Sequence, residues 1–140
     1  MDNILFFSED ISFTLKEKRK IRSWIKMAID DNQMQLQSIN YIFTSDNYLS
    51  NINQEYLKHN SLTDIITFNQ SPDPNVIESD IYISVDRISD NSKYFNLPFT
   101  KELHRVMIHG VLHLIGFSDK KESEKKEMRK KENHYLALLS

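Results

Sequence analysis

Residues 109–119 read HGVLHLIGFSD. Two histidines stand four apart in an apolar run, a glycine follows them, and Asp119 comes ten residues after His109. Four residues advance a helix by about 400°, so His109 and His113 project from one side of a helix, one turn apart. Imidazoles placed this way can share one metal ion at about 2.0–2.1 Å. Gly116 is suited to end that helix, because it tolerates positive φ at the C′ position. The chain then turns, and Asp119 can fold back to the same ion. Its side chain is shorter than histidine's, so its loop must pass close to the metal. A metallopeptidase helix carries glutamate directly after the first histidine, as general base. Here that position is Gly110.

Gly110 and Gly116 are the only two glycines in 140 residues, and both fall in this stretch. A glycine inside a helix costs about 1 kcal/mol relative to alanine. Position 110 must therefore need the missing side chain, for a close-packed strand or for room beside a substrate. The chain has no cysteine, which excludes disulfides, thiolate metal sites and cysteine nucleophiles. Histidines and carboxylates remain as ligands. His59, His104 and His134 read as ordinary structural or surface histidines. Arg105 lies one turn before His109 on the same stripe, placed either to meet a phosphate or to pair with Glu102 or another acid. The second reading is the simpler.

Outward from this centre, the chain reads as one domain over 1–140, of α+β class, with a small mixed sheet of about four strands covered by helices. The metal site would lie at the end of a central helix. Residues 4–7 and 11–15 alternate like strands, the second through Ile11, Phe13 and Leu15. Residues 16–30 place Ile21, Trp24, Ile25, Ala28 and Ile29 on one helical face. A strand is expected over 36–44, then a helix capped by Asp46 or Asn47 and carrying Tyr48, Leu49, Ile52 and Tyr56. Strands 63–68 and 80–85 flank a Pro-rich loop at 71–75. Helices follow over 86–95, about 100–115 and about 122–138. Thr63, Asp64 and Asp80 read as turn and cap anchors beside strands.

The formal net charge is −2, yet six of the eighteen Lys and Arg residues fall in 16–26 and seven in 120–131. Two solvated helices rich in i,i+4 ion pairs would explain this. A phosphate-attracting rim would explain it too, provided that the two ends of the chain meet near the histidine helix. No run of 18 apolar residues is present, and the N-terminus lacks a basic leader, so a cytoplasmic protein without a membrane anchor is expected.

The stretch HGVLHLIGFSD resembles the signature of the YbeY endoribonucleases, the bacterial rRNA maturation factors, H-G-x-L-H-L-x-G-Y-D-H. Upstream, INQEYLKHNSLTDIITF (52–68) is similar to that family's L-N-x-x-Y-R and T-D-V-L-S-F segments, and ESDIYIS (78–84) is similar to its G-D-I-x-I-S strand. The likeness extends over roughly 36–139. It implies one Zn2+ ion held by His109, His113 and Asp119. It also implies cleavage of single-stranded RNA, in maturation of the 3′ end of small-subunit (16S) rRNA and in ribosome quality control, with the small ribosomal subunit as partner.

Two departures stand out. Asp119 replaces the family's third histidine, which lowers the site's net charge from about +2 to +1 and should weaken its pull on a bound water. Leu57 replaces the family's arginine after the tyrosine. Lys58, His59, Arg105 and Lys120 are candidates to replace its phosphate contact. Two imidazoles and a carboxylate also suit iron, nickel or cobalt. Two other readings remain at this point: a non-catalytic, metal-stabilised ribosome-assembly factor, and a peptidase-like metallohydrolase drawing a base from Asp64 or Asp80.

Overall fold

A computed structural model describes residues 3–57 and 63–139. Nine elements follow in order: β1 (Ile4–Ser8), α1 (Lys18–Asp31), β2 (Gln35–Thr44), α2 (Asp46–Leu57), β3 (Ile65–Asn69), β4 (Val76–Ser84), α3 (Val85–Tyr94), α4 (Phe99–Ile115) and α5 (Glu122–Leu139). The four strands form one sheet in the order β1-β2-β4-β3. β1, β2 and β4 run parallel, and β3 returns antiparallel along β4. The α+β class and the mixed four-stranded sheet are as the sequence implies.

Alternation sorts the strands into two faces. Ile4, Ile39, Tyr41, Phe43, Ile81 and Ile83 are buried on one face, which α1 and α4 cover. A register shift between Leu36 and Ser38 inserts one residue, which keeps Leu36 and Ile39 on the same side. α5 closes this layer against α4 and α1 through Met128, Tyr135 and Leu139. The other face carries Ile42, Ile66, Phe68 and Tyr82, and α2 lies across its β3–β4 half.

Residues 11–15 form no strand, against the alternation in the sequence. The Glu9 amide still donates to the Phe43 carbonyl at 2.9 Å, but Asp10 then turns into the left-handed region (φ 43°) and carries the chain out of the sheet. The Asp10 carboxylate accepts from Ser45. The alternating residues are used for burial instead: Phe13 packs on Phe43 and Phe99, and Leu15 enters the core. A second difference lies at the start of α2. Ser45 Oγ accepts from the Tyr48 amide at 3.2 Å, taking the capping role expected of Asp46 or Asn47. Asp46 is thereby free to accept from Ser84 Oγ and the Arg87 guanidinium, joining α2 to α3. No helix among the described residues is long and apolar enough to cross a membrane.

Candidate metal centre

α4 is the element that builds the site. It ends at Gly116 (φ 124°), whose amide reaches the Leu112 and His113 carbonyls at 3.2 and 3.0 Å. The Phe117 amide also donates to Leu112 O, at 3.0 Å, closing the last turn. Gly110 faces the sheet. A Cβ there would lie 2.8 Å from Ile65 Cδ1 and 3.5 Å from Thr67 Cγ2. The missing side chain therefore serves the close approach of β3 to the helix.

The turn after Gly116 brings Asp119 back to the two histidines. His109 Nε2 and His113 Nε2 lie 3.0 Å apart, and Asp119 Oδ2 lies 3.4 and 3.3 Å from them. Donors on a tetrahedral ion with bonds of about 2.0–2.1 Å sit about 3.3–3.4 Å from one another. The three atoms thus match one face of such a tetrahedron, and the donor set fits the metal. All three residues are partly exposed.

His109 is also held from behind. Glu132 of α5, 23 residues later, places Oε2 at 2.7 Å from His109 Nδ1. A carboxylate can only accept, so the proton sits on Nδ1 and Nε2 presents its lone pair. Glu132 is 4% exposed. Its Oε1 accepts from Arg105 Nη1 at 2.9 Å, and Arg105 Nη2 donates to Asn133 Oδ1 at 3.1 Å. Burial disfavours the Glu132 anion, but the bonds from His109 and Arg105 hold its carboxyl below the usual range. Burial likewise disfavours the His109 imidazolium, and Glu132, Asp119 and Asp64 outweigh it, raising His109 above its ordinary value.

Arg105 is thus committed to an acid, as the simpler reading of the sequence held, though the partner is Glu132 and not Glu102. Its Nε is the one buried side-chain polar atom without a hydrogen-bond partner among the described residues. Lys120 is exposed immediately after Asp119. Leu57 is the last residue of α2, and Lys58 and His59 lie outside the described residues. His104 stands beside the Trp24 ring and His134 beside Tyr135, away from the triad. Asp80 bonds Asn40 and Gln70 on the other face of the sheet. Asp64 opens β3, where its carbonyl accepts from the Ser84 amide at 3.0 Å. Burial pushes its carboxyl upward, and His109 partly offsets the shift.

Glu132 is the residue that reading the sequence missed. It directly follows the basic run 120–131, where the ion-pair reading makes it a solvated acid. The signal was its phase: it falls four after Met128 and three before Tyr135, both buried, which puts a carboxylate on the apolar stripe.

The two ends of the chain do meet beside α4. Trp24 Nε1 donates to Tyr135 O at 2.7 Å, and Tyr135 Oη donates to Asp31 at 3.1 Å. Of the cations in the two basic runs, only Lys26, Lys125 and Arg129 form ion pairs among the described residues. The ion-pair explanation for those runs therefore falls short, and a surplus of positive charge flanks the helix layer.

Comparison with known proteins finds relatives over nearly the whole chain. The family model described as Endoribonuclease YbeY matches residues 4–140. A relative from Amoebophilus asiaticus, named Endoribonuclease YbeY, is 48% identical over 134 residues, spanning 96% of this chain and 91% of the relative. Another of the same name, from Christiangramia forsetii, is 45% identical over 136 residues, spanning 97% and 94%. The solution structure of TM1509 from Thermotoga maritima has a TM-score of 0.68 at 25% identity and covers 97% of this chain and 88% of that one. With the family model and both relatives matching nearly its whole length, the chain belongs to the YbeY endoribonuclease family, hydrolases that cleave RNA.

Proposed function

We propose that the chain is a zinc-dependent endoribonuclease specific for single-stranded RNA, with one ion held by His109 Nε2, His113 Nε2 and Asp119 Oδ2. The observation that carries this reading is the triangle of 3.0, 3.3 and 3.4 Å. Three protein donors leave a fourth coordination position for water or substrate, whereas structural zinc is normally closed by four. Among the described residues no fourth ligand joins the three. Bound zinc would polarise a phosphoryl oxygen and neutralise charge developing on it.

The residues of the chain supply the rest. Glu132 and Arg105 fix the His109 ring and its tautomer. Gly110 carries no general base, which disfavours peptide hydrolysis, where a proton must be collected and passed to an amine. Phosphodiester cleavage depends more on charge neutralisation, and the RNA 2′-hydroxyl is available as nucleophile and as the mark that separates RNA from DNA. Lysines at 16–26 and 120–131 give affinity that falls with salt and carries no base preference. The proposed substrate is the 3′ end of small-subunit (16S) rRNA, cleaved in the cytoplasm during maturation and quality control of the small ribosomal subunit.

Elemental analysis of the purified chain, beside cleavage of a single-stranded RNA oligomer with and without chelator, tests this. One zinc per chain and chelator-sensitive cleavage are expected. A chain that holds stoichiometric zinc and cleaves no RNA under any condition would point to the assembly-factor reading instead.

A further inference from the structure

Among the described residues, the face of the sheet opposite the metal centre is only half covered. Near the start of α2, Tyr48 stacks on Tyr82 at 6.4 Å. Towards the end of the helix the cover lifts, and a cavity of about 470 Å³ opens among Tyr56, Phe68, Tyr82, Asn69, Gln70 and Asp80. Phe68 stands edge-on to both tyrosines, 6.0 Å from Tyr56 and 5.7 Å from Tyr82. Tyr56 is 64% exposed, an unusual state for a large aromatic with an apolar neighbour at hand.

Beside the rings the lining is polar. Asp80 accepts from Asn40 and Gln70 at 3.0 and 3.3 Å. Asn69 uses its carbonyl for the Ser71 amide, at 3.0 Å, which leaves its NH2 group to donate. Gln70 likewise keeps its carbonyl to accept. Aromatic rings beside side-chain donors and acceptors suit a flat, polar-edged ring. An aliphatic ligand would leave the amides unmet.

The location links this cavity to the metal centre. Thr67 lines it, and Thr67 Cγ2 is 3.5 Å from where a Cβ on Gly110 would sit, next to His109. Among the described residues β3 is the outermost strand of the sheet, so no further strand separates the two sites at that edge. We propose that the cavity receives one unstacked base of the RNA strand whose phosphodiester lies at the His109–His113–Asp119 triad, the strand passing over the free edge of β3. This rests on the ribonuclease reading and deepens it. A base held within a duplex must first unpair and unstack before it can enter, so the cavity gives a physical origin for single-strand preference. Tyr56 is the stacking group, and Asn69, Gln70 and Asp80 meet the base edge.

The test uses the zinc-loaded chain, single-stranded RNA decamers and a Tyr56→Leu variant. In one decamer series an abasic nucleotide is walked along the strand. One abasic position should raise KM about ten- to a hundredfold, the range that stacking on one aromatic supports. Tyr56→Leu should raise KM for unmodified RNA by a similar factor, and should then show no further loss with the abasic nucleotide at that position. Tyr94→Ser, which removes an aromatic 84% exposed on α3, serves as control and should leave KM unchanged. Thermal unfolding of Tyr56→Leu should match the parent, since Tyr56 is mostly exposed.

Three results would overturn the proposal: losses from Tyr56→Leu and the abasic nucleotide that multiply independently, no loss from either, or a Tyr56→Leu defect confined to binding a Lys/Arg-rich peptide. The last would assign the face to a basic protein. Failure of the unsubstituted chain to cleave any RNA would instead remove the ribonuclease reading itself, an outcome distinct from intact cleavage that ignores Tyr56.

Discussion

His109 has a different environment on each side of its ring. At Nδ1 it meets Glu132, backed by Arg105, and these keep only 6% and 14% of their side-chain surface exposed. At Nε2 it meets His113 and Asp119, which keep 34% and 38%. The dry side holds a charged pair that water barely reaches, where losing one partner is costly. The wet side holds donors that can exchange ligands. One imidazole thus joins a rigid half, which sets orientation, to an accessible half, which would hold the metal. Replacing residues on the two sides should therefore damage different properties.

The largest expected effect is His113→Ala. It removes a donor from the wet side and should abolish stoichiometric zinc and RNA cleavage. Unfolding of the chelator-treated protein should change little, because the ring is a third exposed. Retained zinc in elemental analysis would refute the ligand assignment.

Glu132→Ala attacks the dry side and should invert that pattern. It leaves Arg105 buried without its carboxylate, and denaturant unfolding should show a loss of about 3–5 kcal/mol. The milder Glu132→Gln should keep the fold while weakening zinc about 10- to 100-fold in competition with a chelator, since the support behind the ligand is lost. If zinc affinity survives Glu132→Gln unchanged, the two halves are not coupled through His109.

Asp119→His tests the wet side by addition. It should retain one zinc, raise the charge of the centre by one, and shift the pH–activity profile to lower pH. A profile that does not move would show that the third ligand leaves the acidity of the centre unaffected.

The smallest effects come from residues beside the centre. Gly110→Ala gains about 1 kcal/mol of helix propensity but drives a methyl to 2.8 Å from Ile65 Cδ1. That atom is the tip of a flexible side chain, so net stability should stay within about 1 kcal/mol, read by urea unfolding. His104, earlier on α4, gives a reference that is no ligand. Burial, with Lys20 adding and Glu17 opposing, holds its imidazole below the ordinary value. The folded chain therefore binds this proton less readily than the unfolded chain. Its contribution is fully present above the ordinary histidine value of about 6.5 and is lost as pH falls through it. His104→Gln should flatten the fall in unfolding free energy between neutral and mildly acidic pH.

The wet half was legible from residues 109–119 alone, because its parts lie within three helical turns and one loop. Local geometry fixes such a set: an i,i+4 pair, a C′ glycine and a returning acid. The dry half was not, since Glu132 reaches His109 only after α5 has packed on α4, and a count of charges on a helix cannot tell a buried acid from a solvated one. Residues 11–15 failed for a related reason. Alternation records which side chains are buried, and Phe13 and Leu15 are partly and fully buried respectively, but it does not say that the backbone finds a pairing strand. The left-handed turn at Asp10 decides that, and aspartate accepts such a turn too rarely for it to be expected.

The dependence of His109 on Glu132 has a temporal meaning. During synthesis at ~5–20 residues per second, the 23 residues between them take on the order of 1–5 s to follow. Throughout that interval His109 lacks the carboxylate that aligns its ring. A newly made chain should therefore hold its metal weakly at first, and gain full affinity once α5 has packed on α4.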